Sequence, residues 1–98
     1  MTTWILLPSH GGAIRILNAD NINEFMIIGD SQKIFTLMAS FGGGENPERI
    51  QLMKTNNEPS IKEALNQFFN LNARSRGNNS DIIVEFGNDR LMQQPTLY

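Results

Sequence analysis

The sequence contains no cysteine, and it has one histidine, one tryptophan and one tyrosine. Without cysteine there is no disulfide, no thiol nucleophile and no thiolate ligand for zinc or an iron–sulfur cluster. Charged residues make up only 18% of the chain, and the net charge is −2. The basic surface that binds a nucleic-acid backbone is therefore missing. We expect no nucleic-acid partner, no metal and no cofactor.

Long hydrophobic runs are missing as well. The apolar segment at residues 4–7 is followed at once by Pro8 and lacks a preceding basic region. A signal peptide needs a longer apolar core, and a transmembrane helix needs about 20 apolar residues. The sequence therefore predicts a soluble, cytoplasmic protein without a membrane partner.

Asparagine, by contrast, is the most frequent residue type, with twelve copies in 98 residues. Asparagine favours turns and caps over the interiors of helices and strands. Most copies lie between apolar segments, as expected for a small fold with many turns. The length suits one domain, which we place at residues 1–86, followed by a polar C-terminal tail at residues 87–98.

Short apolar segments separated by turn residues predict strands. In the segment 33–41 apolar residues occupy both alternating faces, which is typical of a central strand. Short turns join most neighbours, so the pairing should be mostly antiparallel. The predicted strands are residues 4–7, 13–17, 24–28, 33–41, 49–54 and 81–86.

One segment has helical periodicity. Apolar side chains recur three and four positions apart from Ile61 to Leu71, which predicts an amphipathic helix at about residues 59–76. Ser60 and Glu63 match a capping box at its start, and Gly77 is expected just after its end. The helix provides one apolar stripe to pack on a sheet.

These elements predict an α+β protein with a five- or six-stranded, mostly antiparallel sheet and one helix. A single helix covers only one face of such a sheet. Apolar residues on the other face would form an interface with another chain, unless the sheet closes into a small barrel. The candidate interface residues are Phe35, Leu37, Ile83 and, in the tail, Tyr98.

Residues 16–22, ILNADNI, resemble the LNADLI segment of the small flagellar FlbD-type proteins. The acidic turn before Ile34–Leu37 and the Ser60-initiated helix resemble that family as well, so the similarity extends over about residues 5–72. This chain differs by its glycine loop and by the segment after residue 77. The resemblance implies a small non-enzymatic accessory protein, and no functional residue is transferred.

Three features could carry chemistry. His10 lies beside Ser9 in a turn, which favours a solvated histidine over a catalytic one. The glycines at residues 42–44 precede two acids, which favours a connecting loop over a phosphate loop. A basic and amide-rich group could bind a small anion, because arginine offers planar donors to phosphate or carboxylate. Its members are Arg74, Arg76, Asn78 and Asn79.

Two functions follow from these observations. The first is a non-enzymatic interaction or adaptor protein that acts as a homo-oligomer or by binding a protein partner. The alternative is a protein that binds or sequesters a small, nucleotide-like anionic ligand. The sequence favours association, because one helix leaves a sheet face uncovered.

Overall fold

The computed structural model describes residues 2–10, 13–43, 45–78, 81–87 and 89–94. Two strands are followed by a short 3-10 turn at Ala19–Asn21, three further strands, one long helix and two final strands. The strands are β1 (Thr3–His10), β2 (Ala13–Asn18), β3 (Ile22–Gly29), β4 (Phe35–Phe41), β5 (Glu48–Thr55), β6 (Ile82–Phe86) and β7 (Leu91–Gln94), and the helix is α1 (Glu58–Asn78).

The strands form two sheets instead of the single sheet that we expected. The four-stranded sheet has the order β2-β1-β6-β7, in which β1 is antiparallel to β2 and parallel to β6. The three-stranded sheet has the order β3-β4-β5 and is antiparallel throughout. The α+β class and the mostly antiparallel pairing are confirmed, but the described strands do not close into a barrel.

The separation into two sheets begins at the end of β2. The side chain of Asn18 caps the 3-10 turn by accepting a hydrogen bond from the Asp20 backbone N–H at 2.9 Å. This turn redirects the chain, so that β3 begins a new sheet and does not pair with β2. Asparagine is suited to such a local bond between its side chain and the backbone.

The segment that we expected to be a polar tail contains β7. This strand pairs with β6 in the register Phe86↔Leu91, Glu85↔Met92 and Val84↔Gln93, and it forms one edge of the four-stranded sheet. Leu91 packs against the core. Residues 95–98 lie outside the described residues.

One hydrophobic core lies between the two sheets and the helix. Its buried members come from both sheets and α1, namely Ile5, Leu7, Leu17, Leu37, Ala39, Leu52, Met53, Ile61, Ala64, Phe68, Val84 and Phe86. Phe68 of α1 contacts Phe25 of β3 and Phe86 of β6, with ring centroids 5.5 and 5.9 Å apart. The helix therefore packs against both sheets.

The helix begins earlier and ends later than its sequence signals predicted. Its first residue is Glu58, so Ser60 lies inside the first turn and does not cap it. The Ser60 N–H instead donates to the Asn57 carbonyl at 3.0 Å. The helix also continues through Gly77, which we expected beyond its end. None of the described helices is both long and apolar enough to cross a lipid bilayer.

Candidate interaction surface

The four-stranded sheet has one face toward the core and one face toward solvent. Thr3, Ile5 and Leu7 are buried, so the alternating residues Trp4 and Leu6 lie on the opposite face. The register places side chains of β2, β6 and β7 beside them. We call this face the outer sheet face, and its members are Trp4, Leu6, Ile14, Ile16, Asn18, Ile83, Glu85 and Met92.

The outer sheet face is apolar and partly exposed. Ile14 is 73% exposed and Ile16 is 41% exposed, and Ile16 lies directly opposite Leu6. Glu85 is its only charged member among the residues described, and it too lies opposite Leu6, on the other side of β1. The exposed isoleucines of the face thus lie on β2, and β1 separates them from Glu85.

The three-stranded sheet has a more polar outer face. Ile28 is 48% exposed and lies opposite Thr36, which in turn lies opposite Lys54. Glu24 is on this face too, opposite Ser40. Charged residues therefore flank its apolar members from both edge strands.

The structure divides the predicted interface residues. Ile83 lies half-buried on the outer sheet face, opposite Trp4. Leu37 is 0% exposed and belongs to the core, so the expectation that it lies on an uncovered face is wrong. Phe35 is half-buried on the same core-facing side, where its ring covers Gly29. Tyr98 lies outside the described residues.

The two wrong placements have one cause. Alternation along β4 correctly groups Phe35 with Leu37, but it does not say which of the two groups faces the core. The register places Leu37 between Ile27 and Met53, and all three pack in the core region. The sequence offered one helix to cover the sheet faces. The presence of two sheets around one core explains why the side chains of Phe35 and Leu37 are covered as well.

The apolar residues that were not predicted on the outer sheet face are Trp4, Leu6, Ile14, Ile16 and Met92. A signal for two of them was present, since residues 4–7 are apolar at every position. In a strand, such a run gives apolar side chains to both faces of the sheet. Met92 carried no comparable signal, because its strand was not predicted.

The two arginines of the predicted anion-binding group lie on different sides of α1. Arg76 Nη2 pairs with Asp20 Oδ1 at 2.8 Å, which connects α1 to the 3-10 turn. Arg74, two positions earlier, lies on another side of the helix, because residues two apart do not share a helix face. The side chain of Asn78 and all of Asn79 lie outside what the structure describes.

Arg74 lines a groove between α1 and the edge strand β7. The cavity has a volume of about 270 Å³. Arg74 forms neither an ion pair nor a hydrogen bond within the part of the chain that the structure describes. We call this the α1–β7 groove, and its lining residues are Gln67, Asn70, Leu71, Arg74, Leu91 and Gln93.

A second cavity of about 220 Å³ continues from the groove toward the start of the helix. The two cavities share Gln67. The second one brings the carboxylates Glu63 and Asp89 beside Arg90. Charges of both signs therefore line the second cavity, whereas Arg74 is the charged residue that lines the α1–β7 groove.

The remaining candidate features are His10 and the glycine segment 42–44. His10 is the last residue of β1, and its side chain is not described. The segment that holds the glycines 42–44 joins the antiparallel strands β4 and β5. It thus precedes a strand, whereas a phosphate loop precedes a helix. Among the described residues, no cluster of three or more histidine, aspartate or glutamate side chains could hold a metal ion.

The chain matches no protein-family model, no curated protein and no solved structure. The resemblance to the flagellar FlbD-type proteins consequently stays a prediction.

Proposed function

We propose that the protein is a non-enzymatic interaction module that self-associates through the outer sheet face. The observation that supports this proposal is that the exposed Ile14 and Ile16 share one sheet face with Leu6 and Trp4, with Ile16 directly opposite Leu6. Complete burial of an isoleucine side chain contributes roughly 1.5–3 kcal/mol. A contiguous exposed apolar patch is typical of an association surface.

A second copy of the chain suits this surface in both chemistry and shape. A face with one carboxylate among its described side chains needs an apolar partner, and the same face of another copy provides one. Two-fold symmetry brings identical patches together, and sheets pack face to face about 10 Å apart. The net charge of −2 gives little repulsion between copies.

The position of Glu85 indicates which part of the face is central to the contact. Burial of the Glu85 carboxylate inside the contact would cost free energy, because the charged group would lose its water. Because Glu85 lies on β6, packing centred on β1 and β2 leaves it at the rim, where water still reaches it. We therefore expect Ile14 and Ile16 to be at the centre of the contact.

Light scattering coupled to size exclusion tests this proposal. We expect the wild-type chain to be a dimer at micromolar concentration, and Ile14→Lys and Ile16→Lys to be monomers. Each substitution removes an apolar contact from both copies and introduces a charge that must be desolvated.

Ile28→Lys is the matched control. Ile28 and Ile16 have similar exposure, 48% and 41%, but they lie on different sheets. The control should remain a dimer. A monomeric wild-type chain, or a dimer that only Ile28→Lys dissociates, would contradict the proposal.

A further inference from the structure

Among the described strands, β7 has one edge without a neighbour, and the direction of its backbone hydrogen-bonding groups can be assigned. It pairs with β6 on one side and is the last strand of its sheet. The Gly87 N–H donates to the Arg90 carbonyl at 2.8 Å, so this is a hydrogen-bonded pair. Antiparallel pairs alternate between hydrogen-bonded and non-hydrogen-bonded. Met92 therefore bonds to β6, whereas Leu91 and Gln93 direct their N–H and C=O groups away from it.

The same two residues line the α1–β7 groove with their side chains. The open backbone edge and the groove consequently lie along one strand, with α1 forming the opposite wall. An extended segment beside β7 would pair with the backbone of Leu91 and Gln93. Every second side chain of that segment would point into the groove, because side chains alternate along a strand.

The groove selects the kind of side chain that would enter it. Leu71 and Leu91 provide apolar contacts, and Gln67, Asn70 and Gln93 provide amide groups. Arg74 provides a guanidinium without a protein partner among the described residues. The complementary group is a carboxylate, which arginine binds through short, charge-assisted hydrogen bonds.

We propose that the α1–β7 groove binds an extended acidic peptide, which adds a fifth strand beside β7 and places a carboxylate on Arg74. Addition of a strand to an exposed sheet edge is a recurrent way of recognising peptides, in which backbone bonds provide affinity and side-chain pockets provide specificity. This site lies on the edge opposite to β2, so it is separate from the proposed self-association.

Fluorescence anisotropy with defined peptide pools tests the side-chain part of the proposal. The probes are pools of degenerate octapeptides labelled with fluorescein. Every pool has β-branched residues at alternating positions. One pool has glutamate fixed at one position, and the other has lysine there. Each pool is made with a free and with an amidated C-terminus. We expect the glutamate pool to bind about tenfold more tightly than the lysine pool.

The two C-terminal forms identify the source of the carboxylate. Equal binding of free and amidated glutamate pools assigns the contact with Arg74 to an acidic side chain. Stronger binding of the free form in both pools assigns it to a peptide C-terminus. The first result supports an acidic peptide ligand, provided that Arg74→Glu abolishes binding, whereas the second overturns an acidic side chain as the group that Arg74 binds.

Arg49→Glu is the matched control for Arg74→Glu. It changes the net charge equally but lies on β5, in the other sheet. The peptide should bind the control as it binds the wild-type chain. If both variants lose binding equally, attraction to net charge explains it and the proposal is overturned. The proposal is also overturned if an equimolar amount of inorganic phosphate displaces the glutamate pool, since the site would then bind simple anions.

Amide hydrogen exchange tests the backbone part on the wild-type protein. Without peptide, the amides of Leu91 and Gln93 should exchange quickly and that of Met92 slowly. The glutamate pool should slow exchange at Leu91 and Gln93. Protection of these two amides before peptide is added would show an edge that is already paired, and it would overturn the proposal.

Gln93→Pro independently tests the hydrogen bond that the Gln93 N–H would donate to the peptide. The Gln93 N–H points away from β6, so proline there should preserve the sheet, as it does on edge strands. The variant should keep its circular dichroism spectrum and lose peptide binding. Undiminished binding by the folded variant would overturn strand addition; if the variant does not fold, the exchange measurement decides alone.

Discussion

Lys33 has a left-handed backbone, with φ of 61°, and it is the one residue other than glycine with positive φ in the described part of the chain. It lies in the turn between β3 and β4, which Asp30 organises. The Asp30 carboxylate accepts from the N–H groups of Gln32 and Ile34 at 2.8 and 3.0 Å. The Lys33 N–H donates to the Asp30 carbonyl at 3.1 Å. These bonds hold Lys33 in a conformation that costs an L-residue about 1–2 kcal/mol.

Lys33→Gly should therefore stabilise the protein. Glycine adopts positive φ without a steric penalty but loses more backbone entropy on folding, so we expect a net gain of about 0.5–1 kcal/mol. For a domain of this size that corresponds to a rise in Tm of about 2–8 °C. Lys54→Gly, in strand β5, is the control and should lower Tm. A fall in Tm for both variants would contradict this explanation.

At the scale of elements, aromatic rings determine how α1 docks on the two sheets. Phe68 is 2% exposed and contacts the rings of Phe25 and Phe86. Its neighbour Phe69 is 51% exposed but still meets Phe25 edge-on, with centroids 5.8 Å apart. Folding therefore removes much more of the Phe68 side chain from water than of the adjacent Phe69 side chain.

The two phenylalanines should differ correspondingly in their effect on stability. Phe68→Ala should lower the free energy of unfolding by about 3–5 kcal/mol, as removal of a buried ring does. Phe69→Ala should cost about 0.5–1.5 kcal/mol, the value of an exposed aromatic pair. Urea denaturation followed by far-ultraviolet circular dichroism measures both. Equal losses for the two variants would show that α1 docks differently.

The elements themselves were predictable because they depend on short-range pattern. Alternation and helical period place six strands and the helix within a few residues of their observed positions. Strand β7 was missed because its two glutamines give no apolar alternation, and its register with β6 is what makes it a strand. Long-range pairing of this kind has no local signal.

The sequence was less informative about which side of each strand faces the core and about which residues form the candidate site. Parity groups Leu37 with Phe35, but the core side of β4 is determined by the second sheet, which sequence periodicity does not indicate. Ile83 was identified because it alternates with buried neighbours. Arg74 was identified by residue type alone, and only the pairing of Arg76 with Asp20 shows that the two arginines do not act together.

At the scale of the whole molecule, two separate hydrogen-bonded sheets share one core. Val84 in the four-stranded sheet and Leu37 in the three-stranded sheet are both 0% exposed. Phe68 packs against rings from both sheets. Loss of either sheet would expose the core side of the other, so the two should unfold together.

Native-state hydrogen exchange measures this cooperativity directly. We expect the backbone amides of Val84 and Leu37 to exchange only through global unfolding and to give the same free energy of opening. Amides at the start of β2, which is exposed, should open at much lower free energy and provide the internal contrast. Clearly different values for Val84 and Leu37 would identify the two sheets as separate cooperative units.

The parallel pairing of β1 with β6 also constrains the order in which the chain can fold during synthesis. β1 is synthesised before its neighbour β6, which lies about 80 positions later, with Thr3 opposite Ile82. Until β6 emerges, β1 has one unpaired edge, a feature that invites pairing with other chains. The β1–β2 hairpin must therefore wait while β3, β4, β5 and α1 are synthesised, and slow elongation within α1 would prolong the period in which the nascent chain is most prone to aggregate.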